Sequence, residues 1–441
     1  MSSEPSVILQ LAPPGTGKTF GAAHAIPDIL QRHPKSRIML TTHANLSLYR
    51  IVQEVIPILA EEKKLIVLSG MAKDEYRDHF QEYSDHLLLA TVEELLVEGR
   101  QPEAKWERSH VRRLERYAEN CKDRPRIADE KGALKVIQTR EIPLPRIIFA
   151  TTAMLEDCDF LLDSVTHLVV DEAGQIPICQ IVPIICRSPK IKTVLLTGDD
   201  KQLLNYIEDV PPVVRPYGWE SLLDYLPKLQ GIDTVQLKTS YRFHHNIARC
   251  LADAIYGDKL VAAAQGPAMS PLLLPNPECP ILLLHQTDPD ERDTESFSRH
   301  NEAQADIASK ILETFPEDRQ VVVLCLYAAE KKRMRQKLQH RPSIRVLTVD
   351  SFQANQSDAV YLLTTRSPTT SGESMSDFLK DDRRATVALS RAKNLLVIHG
   401  NLTTLSQGAV WDKFLSAACK MTQAIDPRPY LNDRTISPMH F

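Results

Sequence analysis

Short runs of β-branched and aliphatic residues alternate along the chain with longer stretches whose apolar positions recur at helical spacing. The runs at 7–11, 37–42, 65–69, 146–150, 167–170 and 193–197 form a first series. Strands that alternate with helices predict an α/β fold around a parallel sheet. A second series follows at 235–239, 281–285, 320–326, 344–349, 359–365 and 394–399. At roughly 100–200 residues per domain, 441 residues suit two such sheets better than one.

Two stretches break this rhythm. From about 71 to 139, Glu, Lys and Arg fall at helical spacing, as in Lys105-Trp-Glu-Arg-Ser-His-Val-Arg-Arg-Leu-Glu-Arg-Tyr, which predicts an inserted helical hairpin. Near 209–231 prolines and turn residues cluster, which places a hinge at 232–236. The domains expected are therefore 1–70 with 140–233, the insert 71–139, a second domain 234–425, and an extended tail 426–441.

Composition narrows the function less than the pattern does. Hydrophobic residues at 43% and charged residues at 25% fit globular domains and exclude wholesale disorder. The 53 basic against 57 acidic side chains give −4, so nothing in the total charge announces a nucleic-acid partner. A protein that grips one strand needs local cations and aimed N–H groups, which a whole-chain sum averages away. Eight scattered cysteines with no Cys-x-x-Cys pair argue against structural zinc and for a reducing compartment. The start has no basic n-region, and no apolar run approaches the ~20 residues that span a bilayer. A cytoplasmic or nuclear protein with no membrane partner is the expectation.

The chemistry begins at Ala12-Pro-Pro-Gly-Thr-Gly-Lys-Thr19, directly after one strand and at the start of a helix. That context suits a loop that cradles phosphates. Gly15 and Gly17 allow the tight turn around Pro14 and Thr16, so that N–H groups point at phosphate oxygens. Lys18 supplies a point charge, and Thr19 a hydroxyl for Mg²⁺. Farther on, His167-Leu-Val-Val-Asp171-Glu172 ends an apolar strand in two carboxylates. Asp171 would hold the metal and Glu172 would polarise water. A further strand ends in Gly198-Asp-Asp-Lys-Gln202, where Gln202 is placed to sense a γ-phosphate.

The order of motifs resembles the superfamily 1 DNA/RNA helicases, in the branch of the nonsense-mediated-decay helicase and senataxin. It rests on Pro13-Pro-Gly-Thr-Gly-Lys-Thr19, Asp171-Glu-Ala-Gly-Gln175, Gly198-Asp-Asp-Lys-Gln-Leu203, Ser240-Tyr-Arg-Phe-His244, Val349-Asp-Ser-Phe-Gln353 and Arg383-Arg-Ala-Thr-Val-Ala-Leu-Ser-Arg-Ala-Lys393, across nearly the whole chain. The resemblance implies two RecA-like domains with ATP and Mg²⁺ in the cleft between them and a single strand of RNA or DNA across their tops, RNA slightly favoured, travelled 5′ to 3′. Protein partners in a ribonucleoprotein are compatible with it. Position by position, it brings Arg242 and Arg391 to the γ-phosphate, Tyr241 beside the adenine and Gln356 towards the ribose. Thr42, Asn45, Thr151, Thr152, Ser351 and Gln353 fall where the family holds the strand.

Departures from the family pattern are Ala12 and Ala354 for glycine, Gln356 for glutamate, Thr386 for asparagine, Leu204-Asn205 for Pro-Pro, and His43-Ala44 for Pro-Ser. The family also carries an adenine-reading glutamine and a small β-barrel upstream of the first strand, where six residues stand here. The phosphate-facing set Lys18, Thr19, Asp171, Glu172, Gln202, Arg242 and Arg391 is intact. ATP hydrolysis with helicase or translocase activity is the leading expectation. A non-translocating RNA- or protein-binding scaffold with a degenerate or switch-like ATPase is the alternative.

Overall fold

The computed structural model describes residues 6–59, 65–68, 83, 85, 87–101, 105–123, 127–142, 146–157, 159–204, 210–229, 231–263, 270–294, 296–352, 355–368, 377–433 and 435–441. The chain divides into two compact units: Met1–Ala12, Gly17–Asp200 and Leu204–Gln236 form the first, and Pro13–Thr16, Lys201–Leu203 and Leu237–Phe441 the second.

The first unit is built on seven strands: β1 (Ser6–Leu11), β2 (Ile38–Thr42), β3 (Leu65–Leu68), β4 (Ile147–Thr151), β5 (His167–Val170), β6 (Thr193–Gly198) and β7 (Asp233–Gln236). They lie in the order β3-β4-β2-β5-β6-β1-β7, with every pair parallel. Helices on both faces make each central strand apolar on both sides, because successive side chains point to opposite faces. Ile147 and Phe149 enter one core cluster, and Ile148 and Ala150 the other. Helix α1 (Lys18–Arg32) follows β1, and α2 (Asn45–Ile58) follows β2.

The second unit repeats the plan. Its main sheet contains β10 (Ile281–His285), β13 (Val321–Cys325), β14 (Ile344–Thr348), β15 (Ser357–Leu363), β16 (Ala392–Gly400), β17 (Ala424–Ile425) and β18 (Pro438–Met439), in the order β14-β13-β15-β16-β10-β17-β18. All pairs are parallel except β17 with β18. Leu324, Leu362 and Ile398 fill one core face, while Val323, Tyr361 and Val397 fill the other. Two small pairs, β8 (Thr239–Ser240) with β9 (Val261–Ala262) and β11 (Glu291–Arg292) with β12 (Arg299–His300), complete it.

Three expectations differ from the structure. The run at 235–239 does not open the second sheet: Asp233–Gln236 pairs with β1 at the edge of the first, and Gln236 Nε2 donates to Leu11 O at 3.1 Å. A boundary after 233 would cut this strand, and the break falls after Gln236. Within 71–139 the described residues hold three helices, Leu88–Gly99, Arg108–Asp123 and Ile127–Thr139, rather than a hairpin. Leu88, Val92, Leu114 and Leu134 tie them to the first unit's core. The tail is not extended, since Pro427–Asp433 is helical, Tyr430 is buried and β18 joins the sheet.

Candidate functional site

Ligands of open parallel sheets bind beyond the carboxyl ends of the strands, and the predicted chemistry lies there. At the end of β1 the chain turns through Pro13–Gly17, with Thr16 Oγ1 donating to Pro13 O at 2.8 Å. Gly15 and Gly17 have φ of 76° and 84°, a left-handed conformation that side chains resist. A Cβ at Gly15 would also collide with Ser240 and Arg242, which share its unit. Gly17 caps α1 with no side-chain hydrogen bond, so the N–H groups of the first turn remain for an anion.

In the first unit, Thr19 Oγ1 donates to Asp171 Oδ2 at 2.7 Å. These are two hard oxygen donors at the mouth of the loop, the donor type Mg²⁺ takes. The set therefore fits a nucleotide-bound Mg²⁺. Asp171 is buried at the end of β5, and burial and the neighbouring Glu172 push its carboxyl up to about 6, against the opposing pull of Thr19 and Lys18. A divalent cation there would relieve the cost of burying the charge. Lys18 Nζ lies 3.8 Å from Glu172 Oε1. Glu172 itself has φ 52° and ψ 44°, a left-handed conformation costing roughly 1–3 kcal/mol in a residue with a Cβ. Its N–H donates to Asp171 Oδ1 at 3.0 Å.

Arg50, on the second turn of α2, was not singled out from the sequence. Burial pulls its guanidinium below the usual value, while the charges of Glu172 and Asp171 pull it back up. A charged residue beside the buried stripe Leu48, Ile51 and Val52 is the one local signal that could have found it.

The second unit, which includes Lys201–Leu203, holds Arg391 at 1% exposure. Its Nε donates to Val387 O at 2.8 Å, Nη1 to Asn355 O at 3.0 Å, and Nη2 to Gln202 Oε1 at 2.8 Å. Arg242 Nη1 reaches Ser390 O at 3.4 Å. Tyr241 leaves its ring 77% exposed, while its N–H donates to Gly15 O at 2.8 Å. Gln356 is exposed.

The residues expected to hold a strand divide between the two units. Thr42 and Thr151 are register partners at the ends of β2 and β4, both buried. Thr152 Oγ1 donates to Gln180 Oε1 at 3.3 Å. Asn45 is the first residue of α2 rather than a turn residue. Ser351 is exposed, but its hydroxyl donates back to Thr348 O at 3.0 Å. Gln353 lies outside the described residues.

Two RecA-like sheets, with a glycine loop following β1 and an Asp-Glu pair following β5, define a P-loop nucleoside-triphosphatase fold. A family model described as an AAA domain matches residues 219–403. Regulator of nonsense transcripts 1 of Dictyostelium discoideum is 25% identical over 425 residues, covering 92% of this chain and 30% of that protein. DNA polymerase alpha-associated DNA helicase A of Saccharomyces cerevisiae is 25% identical over 441 residues, covering 90% of this chain and 62% of that one. The chain thus spans less than two thirds of either relative. An arterivirus nonstructural protein 10 helicase solved with DNA covers 92% of this chain and is covered over 63% of its own length, at 14% identity and a TM-score of 0.44, and adds nothing to what the sheets show. The chain is similar over most of its length to proteins named as helicases and to regulator of nonsense transcripts 1.

Proposed function

We propose that the chain is an ATP-dependent helicase or translocase that moves 5′ to 3′ on single-stranded RNA or DNA. The observation that carries this reading is the Thr19–Asp171 hydrogen bond at 2.7 Å, beside Lys18 and Glu172 at 3.8 Å. It supports a site in which Pro14, Gly15, Thr16, Gly17 and Lys18 bind the phosphates, Thr19 and Asp171 hold Mg²⁺, and Glu172 polarises the attacking water. Arg242 and Arg391 are proposed to stabilise the leaving charge, with Gln202 reporting the γ-phosphate, Tyr241 against the adenine and Gln356 at the ribose. Thr42, Asn45, Thr151, Thr152, Ser351 and Gln353 are proposed to contact the strand without reading its sequence.

Arg391 already holds Gln202 through Nη2, so a phosphate arriving at the guanidinium would compete with that hydrogen bond. Each nucleotide state would then favour a different set of hydrogen bonds, which is the differential interaction that coupling requires. The test is steady-state ATP turnover with and without single-stranded RNA and DNA, for the wild type and Lys18→Ala. Stimulation by a strand, abolished in the variant, is the expected result. ATP binding without turnover on either polymer would overturn the motor and leave the scaffold.

A further inference from the structure

The opposite end of the first sheet carries a cavity of about 670 Å³ that the ATP chemistry does not use. Three loops form it: the one after α1 with Arg32, His33 and Lys35, the entry to β5 with Thr166, and the entry to β6 with Lys190 and Lys192. Backbone hydrogen bonds fix the loops side by side, from Thr166 N to Arg37 O at 2.9 Å and from Lys192 N to Thr166 O at 2.8 Å. The lining contains no carboxylate.

Arg32 is already paired with Asp28 at 2.8 Å. It also sits in the last turn of α1, where a cation answers the helix dipole. That account does not extend to Lys190 and Lys192, which lie beyond the preceding helix end at Cys186. Lys35, Lys190 and Lys192 are exposed and make no ion pair among the described residues. The positive field is felt underneath: the buried His167 imidazole is pushed below its ordinary value by burial, then by His33 and Lys192. A carboxylate-free cationic groove on a chain of net charge −4 needs a reason beyond solubility.

We propose that this groove is a second, sequence-independent contact for the phosphate backbone of a nucleic acid, at the end of the first sheet remote from Asp171. It rests on the functional reading above and extends it. A small phosphate compound is caged by aimed N–H groups, as at Gly15–Thr19, whereas exposed ammonium groups along an open groove suit a polymer that binds by releasing counterions. No Phe, Tyr or Trp lines it, so the contact is to backbone and not to bases.

The test is a Lys35→Ala/Lys190→Ala/Lys192→Ala variant of the whole chain, titrated against fluorescent single-stranded RNA at several salt concentrations. One strand would be of about 40 nucleotides and one of about 10, a single-site length. For the long strand, the slope of log affinity against log salt should fall by about 2, three cations at ~0.7 each. Raising salt fourfold would then cost the wild type about 20-fold more affinity than the variant. The short strand's slope and ATP turnover should not change. An unchanged long-strand slope overturns the proposal. So does loss of inorganic tripolyphosphate binding with nucleic-acid binding intact, which would assign the groove to a free polyphosphate. Failure of the functional reading shows elsewhere, as wild-type ATP turnover indifferent to nucleic acid.

Discussion

Beyond the strand ends of the first unit, Asp171 has one hydroxyl partner and a neighbouring carboxylate, and Glu172 is held in a left-handed conformation. In the second unit, Asp290 lies beyond the end of β10, its side chain fully buried between Arg299 at 2.6 Å and Arg366 at 2.8 Å, and accepts the Ser367 N–H at 2.7 Å. Nearby, His399 joins Tyr361 at 2.8 Å to Gln286 at 2.6 Å. Both places bury polar groups at the same end of the same kind of sheet. The first leaves Asp171 one hydroxyl and one N–H as partners, beside a strained Glu172. The second saturates the Asp290 carboxylate, which ties the loops carrying Arg299, Arg366 and Ser367 together. Burial alone does not mark a reactive site; the balance of partners does.

Arg391 belongs by geometry to the saturated kind and by proposed role to the reactive kind, so it tests the distinction hardest. If it serves the γ-phosphate, Arg391→Ala should lower kcat for strand-stimulated ATP hydrolysis by ~10³–10⁵, about 4–7 kcal/mol of barrier. Arg391→Lys should not rescue it, because an ammonium cannot hold Gln202 and two carbonyls in a planar fork. Turnover and thermal unfolding measured together separate the roles. A variant that unfolds earlier yet turns over at the wild-type rate per folded molecule would make Arg391 a structural residue.

The two aspartates should answer the same substitution with opposite signs. Asp290→Asn leaves Arg366, 4% exposed, without its counter-charge, at a cost of about 3–5 kcal/mol. Asp171→Asn removes a carboxylate whose ionisation the fold resists, so at neutral pH without metal it should raise stability while abolishing Mg²⁺-dependent turnover. Denaturant unfolding of both variants checks this, with the buried Trp411 reporting the second unit. Equal destabilisation by both would erase the contrast.

What the sequence disclosed follows the same division. Strands buried on both faces read as unbroken apolar runs, so 167–170 and 281–285 were legible to the residue. Asp-Thr-Val-Gln at 233–236 has no apolar face, being an edge strand held by its backbone, and its membership of the first sheet could not be read locally. Two-residue β18 pairs only through backbone groups and leaves no pattern at all. The glycine loop was legible because its chemistry is local and its spacing fixed. Arg50 was not, because the carboxylates that give it meaning follow β5, three strands later in the chain. The strand-contacting hydroxyls show a further gap: sequence places Thr42 at a strand end but does not say that its side chain is buried there.

Glu330 gives the finest test, because it lies inside the saturated region yet is not fully satisfied. It is wholly buried in the helix Ala328–Lys337, with Oε2 accepting the Asn301 N–H at 2.7 Å and Oε1 left with no hydrogen bond of good geometry, the Thr365 hydroxyl being its nearby donor. Burial raises its carboxyl to about 7, opposed chiefly by that N–H. A carboxyl whose folded value lies above its unfolded one binds its proton more tightly in the fold. Its stabilising contribution is therefore complete below the unfolded value near 4.5 and is lost as pH rises through about 7. Glu330→Gln keeps an acceptor for Asn301 and cannot ionise. Relative to wild type it should stabilise the second unit by up to about 3 kcal/mol at alkaline pH, with the advantage fading towards acid pH. Denaturant midpoints across that range measure it. A difference that does not vary with pH would mean Glu330 is as well paired as Asp290.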